Sequence, residues 1–217
     1  MLPLGGLLSF LVFRPSFYNA YKQLGLLHYE ADQGKQALQY FDSAIKINPF
    51  SPEAYYHRGI AHDKLNDFES ARHDYETAIE GDFNAAFSKL ARLYIIGKIP
   101  GKNSSDAVKL LEPRIARKIE DDVKSDMLKN LGWAWFMQKH NDLAKDYLQS
   151  SIELDKKRPK EKWHGSAYCL LAEVLEQQGS EDKALMQWDV CFRFVEHFPE
   201  YKKWYEKARK RLENKKP

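Results

Sequence analysis

Apolar side chains recur along this chain three and four residues apart, and no run alternates apolar and polar residues as a half-buried strand does. That spacing predicts helices throughout. In the stretch beginning at Tyr21, the large residues Tyr21, Leu24, Phe41 and Ile45 fall where two helices would press together. Pro49 closes the stretch, since proline cannot continue a helix. The chain then starts again. Residues 21–49, "YKQLGLLHYEADQGKQALQYFDSAIKINP", lie over "YYHRGIAHDKLNDFESARHDYETAIEGDF" at a fixed shift of 34 residues. Tyr21 matches Tyr55, Gly25 matches Gly59, His28 matches His62, Ala37 matches Ala71, Phe41 matches Tyr75 and Ala44 matches Ala78. The small members have a packing reason: glycine and alanine let one helix lie close against another. Phe83 stands where the first unit has Pro49, so the second unit ends less sharply.

Later units diverge. In residues 84–119, Phe87, Leu90, Ala91 and Tyr94 keep the spacing of a first helix, and Ala107 and Leu111 that of a second. Between them "GKIPGKNSS" lengthens the turn by about four residues, and Ser104 or Ser105 is the expected N-cap of the next helix. A fourth unit spans 125–159, through Leu128, Leu131, Gly132, Trp135, Ala144, Leu148 and Ser151. A fifth spans 165–198, through Tyr168, Leu171, Ala172, Leu175, Ala184, Trp188 and Cys191. Tyr201, Trp204, Tyr205, Ala208 and Leu212 then form one stripe with Lys and Arg opposite, the solvated outer face a capping helix needs.

A 34-residue period with aromatic, glycine and alanine in this order resembles the tetratricopeptide repeat. The resemblance is tightest over the first two units and loosest over the third. It implies an all-α fold: a right-handed α-solenoid of about five helix-turn-helix repeats with a C-terminal capping helix. It divides the chain into an apolar segment, 1–16, and a repeat domain, 17–217.

The apolar segment reads "MLPLGGLLSFLVFRPS", with no charge from Leu2 to Phe13. That is shorter than the roughly 20 residues that span a bilayer, and no basic residue precedes it as in a signal peptide. Three readings stay open: the end of a membrane segment clipped from a longer chain, a short anchor at residues 2–13 flanked by Arg14 and Lys22, or a segment packed on the first repeat.

Composition narrows the function. A 217-residue chain with a formal charge of +3 gives no electrostatic case for nucleic acid, and none is expected as a partner. The basic C-terminal stretch, from Lys202 through Arg209 and Lys210 to Lys216, reads first as a solvated cap and second as a contact for anionic lipid. Two cysteines, Cys169 and Cys191, read as buried reduced thiols in a reducing, cytoplasmic compartment, with membrane association only through the N-terminus. Seven histidines form no HExxH or other metal spacing, and His28 and His62 sit at packing positions of the repeat. No nucleophile elbow and no phosphate loop is present; "GKIPGK" lacks the strand before it. The expectation is a protein with no catalytic residue, metal or cofactor.

The resemblance further implies that the first helices of the repeats line a concave groove that takes a peptide or protein. Helical spacing then picks Lys22, Leu26 and Tyr29; Tyr56 and Ile60, with Asp63; Arg92; and Lys129, Trp133, Phe136 and Met137. Aromatics with arginine are usual interaction anchors, and the set suits a peptide bearing an apolar stripe and an acidic group. One subtype of the family clamps chaperone C-termini with lysine and asparagine. Here Lys22 stands, but Leu26 and His57 occupy the asparagine positions, so that clamp is incomplete. In "LGWAWFMQK", residues 131–139, Trp133 and Trp135 point to nearly opposite sides of a helix. The repeat register assigns Trp135 to the stack and Trp133 to the groove. The resulting expectation is a non-catalytic interaction scaffold; the alternative is a regulatory or assembly module of a larger membrane-associated complex or enzyme.

Overall fold

The computed structural model describes residues 4–159, 165–194 and 201–213, with side chains described from Pro15 onward. Among the described residues the structure is all helical. Two compact units divide between Leu93 and Tyr94. The first holds α1 (Leu4–Glu30), α2 (Gly34–Ile47), α3 (Pro52–Lys64), α4 (Phe68–Glu80) and most of α5 (Asn84–Ile95). The second holds the end of α5, then α6 (Ser104–Ile115), α7 (Asp121–Met137), α8 (Asn141–Asp155), α9 (Gly165–Gln177), α10 (Glu181–Phe194) and α11 (Lys202–Glu213).

Within each unit, successive helices form antiparallel hairpins that stack on their neighbours, the local architecture of an α-solenoid. In the first unit α1 packs on α2, α3 on α4, and α2 on α3. In the second, α7 packs on α8, α9 on α10, and α11 closes against α10. Four of the hairpin turns repeat one backbone device. Gln33 N donates to His28 O, Asp67 N to His62 O, His140 N to Trp135 O and Ser180 N to Leu175 O. The residue before each donor is left-handed: Asp32, Asn66, Lys139 and Gly179 have φ between 61° and 71°. That six-to-one bond with a left-handed residue satisfies carbonyls the helix end leaves open.

Close approach is built where the repeat has glycine. A Cβ on Gly25 would stand 2.5 Å from the Phe41 ring, and one on Gly59 2.8 Å from the Tyr75 ring. Ala37, Phe41 and Ala61 are buried together, with Leu26, Tyr29 and Leu38 packed against them. The third turn differs from expectation: the N-cap of α6 is Asn103, and the serines fall inside the helix. Asn103 Oδ1 accepts from Ser105 N at 2.8 Å while Asp106 Oδ2 accepts from Asn103 N at 3.1 Å, a reciprocal capping box that a serine cap would not complete.

At the N-terminus α1 runs as one 27-residue helix from Leu4 into the first repeat, with Pro15 inside it. Among the described residues no helix is long and apolar enough to cross a membrane. The cysteines are not thiols: Cys169 on α9 and Cys191 on α10 are both fully buried and joined as a disulfide, with Cα atoms 4.9 Å apart. The antiparallel packing of the last hairpin brings together two positions 22 residues apart in sequence.

Candidate functional site

In the first unit α1, α3 and α5 are the first helices of their hairpins, and polar bonds tie them side by side. Lys22 Nζ donates to Glu53 Oε2 at 2.8 Å, and Tyr18 OH lies 2.6 Å from Ser51 Oγ. Further along, Arg92 donates to Asp63, which also accepts from Tyr75 OH at 3.3 Å. Lys64 Nζ sits 4.6 Å from the centre of the Tyr29 ring and donates to Tyr29 O, while pairing with Asp32 at 2.8 Å. Between these ties lie Leu26, Tyr29, Tyr56 and Ile60, all half-buried. Tyr56 leans on Phe83 at 4.9 Å and on His57 at 5.2 Å.

Burial and neighbouring charge set the ionisation of this face. Burial pushes the Tyr29 phenol up, against the pull of Lys64. Burial holds the His57 imidazole below its ordinary value, with Glu53 opposing and Lys22 reinforcing. The aromatic surface therefore stays uncharged at neutral pH, and its cations are already engaged by carboxylates of the chain. An acidic ligand would have to displace Glu53 from Lys22 or Asp63 from Arg92.

In the second unit two candidates turn inward, and Trp133, expected to face the groove, is covered. Trp133 is only 8% exposed and meets Trp204 of α11 edge to face at 5.3 Å. Lys129 is buried and pairs with Asp126 at 3.2 Å. Trp135, expected in the stack, is half-buried with its ring 5.2 Å from His140. The physical reason is that α7 is covered twice. Gly132 lets α8 close on one side, and the capping helix lays Trp204 over the other. Phe136 is half-buried and Met137 is 54% exposed, so only the end of α7 offers apolar surface.

Sequence spacing also passed over a cluster between α2, α3 and α4. Arg58 reaches Asp74 through Nε and Nη2 at 2.8 and 2.7 Å, and Asp42 through Nη1 at 2.7 Å. The Asp74 bond pushes the guanidinium further above its ordinary range, against burial. An open recess beside it is lined by His62, Ser70, Arg72 and His73. The signal was an arginine at the centre of α3 with an aspartate 16 residues on either side. Among the described residues no three histidine, cysteine or carboxylate groups are placed to hold a metal ion.

Residues 22–87 match the family profile described as Tetratricopeptide repeat. That match covers the first two hairpins and the start of α5. A peptide N-acetylglucosaminyltransferase of Giardia intestinalis, one that uses UDP-N-acetylglucosamine, is 35% identical over 81 residues. The match covers 37% of this chain and 6% of that enzyme, far less than the enzyme's own length. Among solved structures, PilF of Pseudomonas aeruginosa superposes with a TM-score of 0.70 at 19% identity, over 93% of this chain and 86% of that one. YrrB, described as a TPR protein with an unusual peptide-binding site, gives 0.55 at 16% identity, over 88% of this chain and 90% of that one. At such identities the likeness establishes the fold alone, an α-solenoid.

Proposed function

We propose that the chain is a non-catalytic scaffold that takes a peptide on the first-helix face of its first unit. The observation that carries this reading is the surface formed by Leu26, Tyr29, Tyr56 and Ile60. These four are apolar or aromatic, half-buried, and bordered by ion pairs that hold the helices rigid. Rigid aromatic surface gives contact area at little conformational cost, which is what hot spots use. Because Lys22 and Arg92 are engaged within the chain, the ligand is an apolar stripe rather than an acidic group. The peptide-binding description of YrrB supports the mode, since the two share a fold. A tether through residues 2–13 stays part of the reading: the run carries no charge, and α1 is one helix from Leu4 into the first repeat. The Cys169–Cys191 disulfide favours an oxidising compartment for the repeat domain over a reducing one.

Panning a random peptide library against the full chain tests the face. Selected peptides should lose about thirtyfold in affinity with Tyr29→Ala or Ile60→Asp, the size of a hot-spot truncation near 2 kcal/mol. They should bind normally with Phe50→Ser, a change in the exposed turn between α2 and α3. If Tyr29→Ala, Tyr56→Ala and Ile60→Asp all leave binding intact, the face is wrong.

A further inference from the structure

Helices α1 and α11 present different outer faces. A helix face that stays in water is normally polar. Helix α11 has such a face: Lys202, Lys203, Arg209 and Lys210 are all exposed, while Trp204 and Ala208 are buried beneath them. Helix α1 does not. Its exposed residues include Asn19, Ala20, Gln23, Leu24 and Leu27, with no charge among them until Glu30. Leu24 is 37% exposed and Leu27 60%, unusual for leucines on a well-packed helix. Ala20, Leu24, Leu27 and the exposed Ala31 are spaced four, three and four apart, and Phe17, 56% exposed, extends the spacing upstream. That is the seam of a two-stranded helix pair.

Helix α1 is also long. It has 27 residues against 14 in its hairpin partner α2, so α2 runs along only about half of it. Helix α1 packs chiefly on α2 and more lightly on α3.

We propose that this face of α1 pairs with the same face of α1 in a second copy of the chain, across a two-fold axis. Three observations select that occupant. The seam is uncharged from Phe17 to Leu27, so apposing it to itself brings no like charges together. The alternating spacing of three and four matches a helix with the same spacing, and α1 is such a helix. The head-to-tail alternative, α1 on another copy's α11, would strip water from Lys202, Lys203 and Lys210 against leucine and alanine, which is costly. The contact is therefore closed and isologous, and no filament grows from it. The seam lies off Tyr29, Tyr56 and Ile60, so the pairing stands or falls separately from the peptide face.

Sedimentation equilibrium of the full chain in detergent-free buffer tests this. A monomer–dimer equilibrium is expected in the micromolar range, the range of modest interfaces. Leu24→Lys with Leu27→Glu should weaken it by about a hundredfold or more, from the loss of two buried leucines per copy. A gentler pair, Leu24→Gln with Leu27→Gln, should weaken it in the same direction. Helicity should hold, and the thermal midpoint should fall little with the gentler glutamine pair, because Leu27 is mostly and Leu24 partly exposed in the monomer. A wild-type chain that stays monomeric at 100 µM, about the top of that range, overturns the proposal. So does a dimer that survives both double variants, or an open-ended series of masses. Flotation with neutral phosphatidylcholine vesicles supplies the remaining arm. A monomeric chain that floats, and stops floating when Leu24 and Leu27 are changed, assigns the face to lipid instead.

Discussion

At the residue scale, Gly132 shows how closely two helices of a hairpin are set. A Cβ there would lie 2.6 Å from Leu148 Cγ and 3.0 Å from Ala144 O. The leucine can turn aside, but the carbonyl belongs to the backbone of α8 and cannot. Gly132→Ala should therefore push α7 and α8 apart. Overpacking costs about 1–3 kcal/mol, against which the better helix propensity of alanine returns at most about 1 kcal/mol. A urea midpoint lower than wild type, with the slope unchanged, is the expected result; an equal or higher midpoint would remove Gly132 from the packing account. This glycine was legible in the sequence because its position in the repeat register makes a small residue obligatory. The role of Trp133 was not legible from that register. A register says which face of a helix meets its hairpin partner and nothing about what covers the opposite face. Here the cover is Trp204, some seventy residues later. The composition of "LGWAWFM" held the missing signal: a helix apolar all round is a buried helix.

At the scale of elements, the hairpins and their order follow from periodicity, while the bonds that cross them do not. The turns are readable because a left-handed residue must follow each first helix, and Asp32, Asn66 and Gly179 are residue types that tolerate it. The disulfide was not readable, since a count of two cysteines carries no geometry. Its consequences can be measured. Unreduced protein should weigh two hydrogens less than its sequence mass. Closing a loop of 22 residues should stabilise the last hairpin by about 3 kcal/mol, so Cys169→Ala with Cys191→Ala should lower the unfolding midpoint accordingly. Both sulfurs are fully buried, so a reductant should act slowly on the folded chain and quickly in denaturant. Rapid labelling of both cysteines in the native, untreated protein would show that they are thiols after all.

At the scale of the whole chain, stability in a repeat fold is a sum over neighbours, and the ends decide how it begins to fail. Two carboxylates of α9 hold α11: Glu173 pairs with Lys207 at 2.6 Å, and Glu176 makes more bonds. Glu176 of α9 accepts from Trp188 Nε1 at 2.8 Å and from Arg211 Nε at 2.7 Å, and pairs with Lys207 at 2.8 Å. Burial pushes its carboxyl up, but the bonds from Arg211, Lys207 and Trp188 together outweigh burial and hold it at about 2, below an ordinary value of 4.5. The folded state thus favours the ionised form. Its contribution is fully present above pH 4.5 and drains away as pH falls through about 2. Glu176→Gln removes that dependence along with the charge. The gap in thermal midpoint between wild type and variant should be widest near neutral pH and narrow steadily below pH 4.5, with amide exchange in α11 accelerating over the same interval. A gap that stays constant down to pH 3, well inside that window, would mean that the helix is held without Glu176, by Trp204, Ala208 and the Lys207–Glu173 pair.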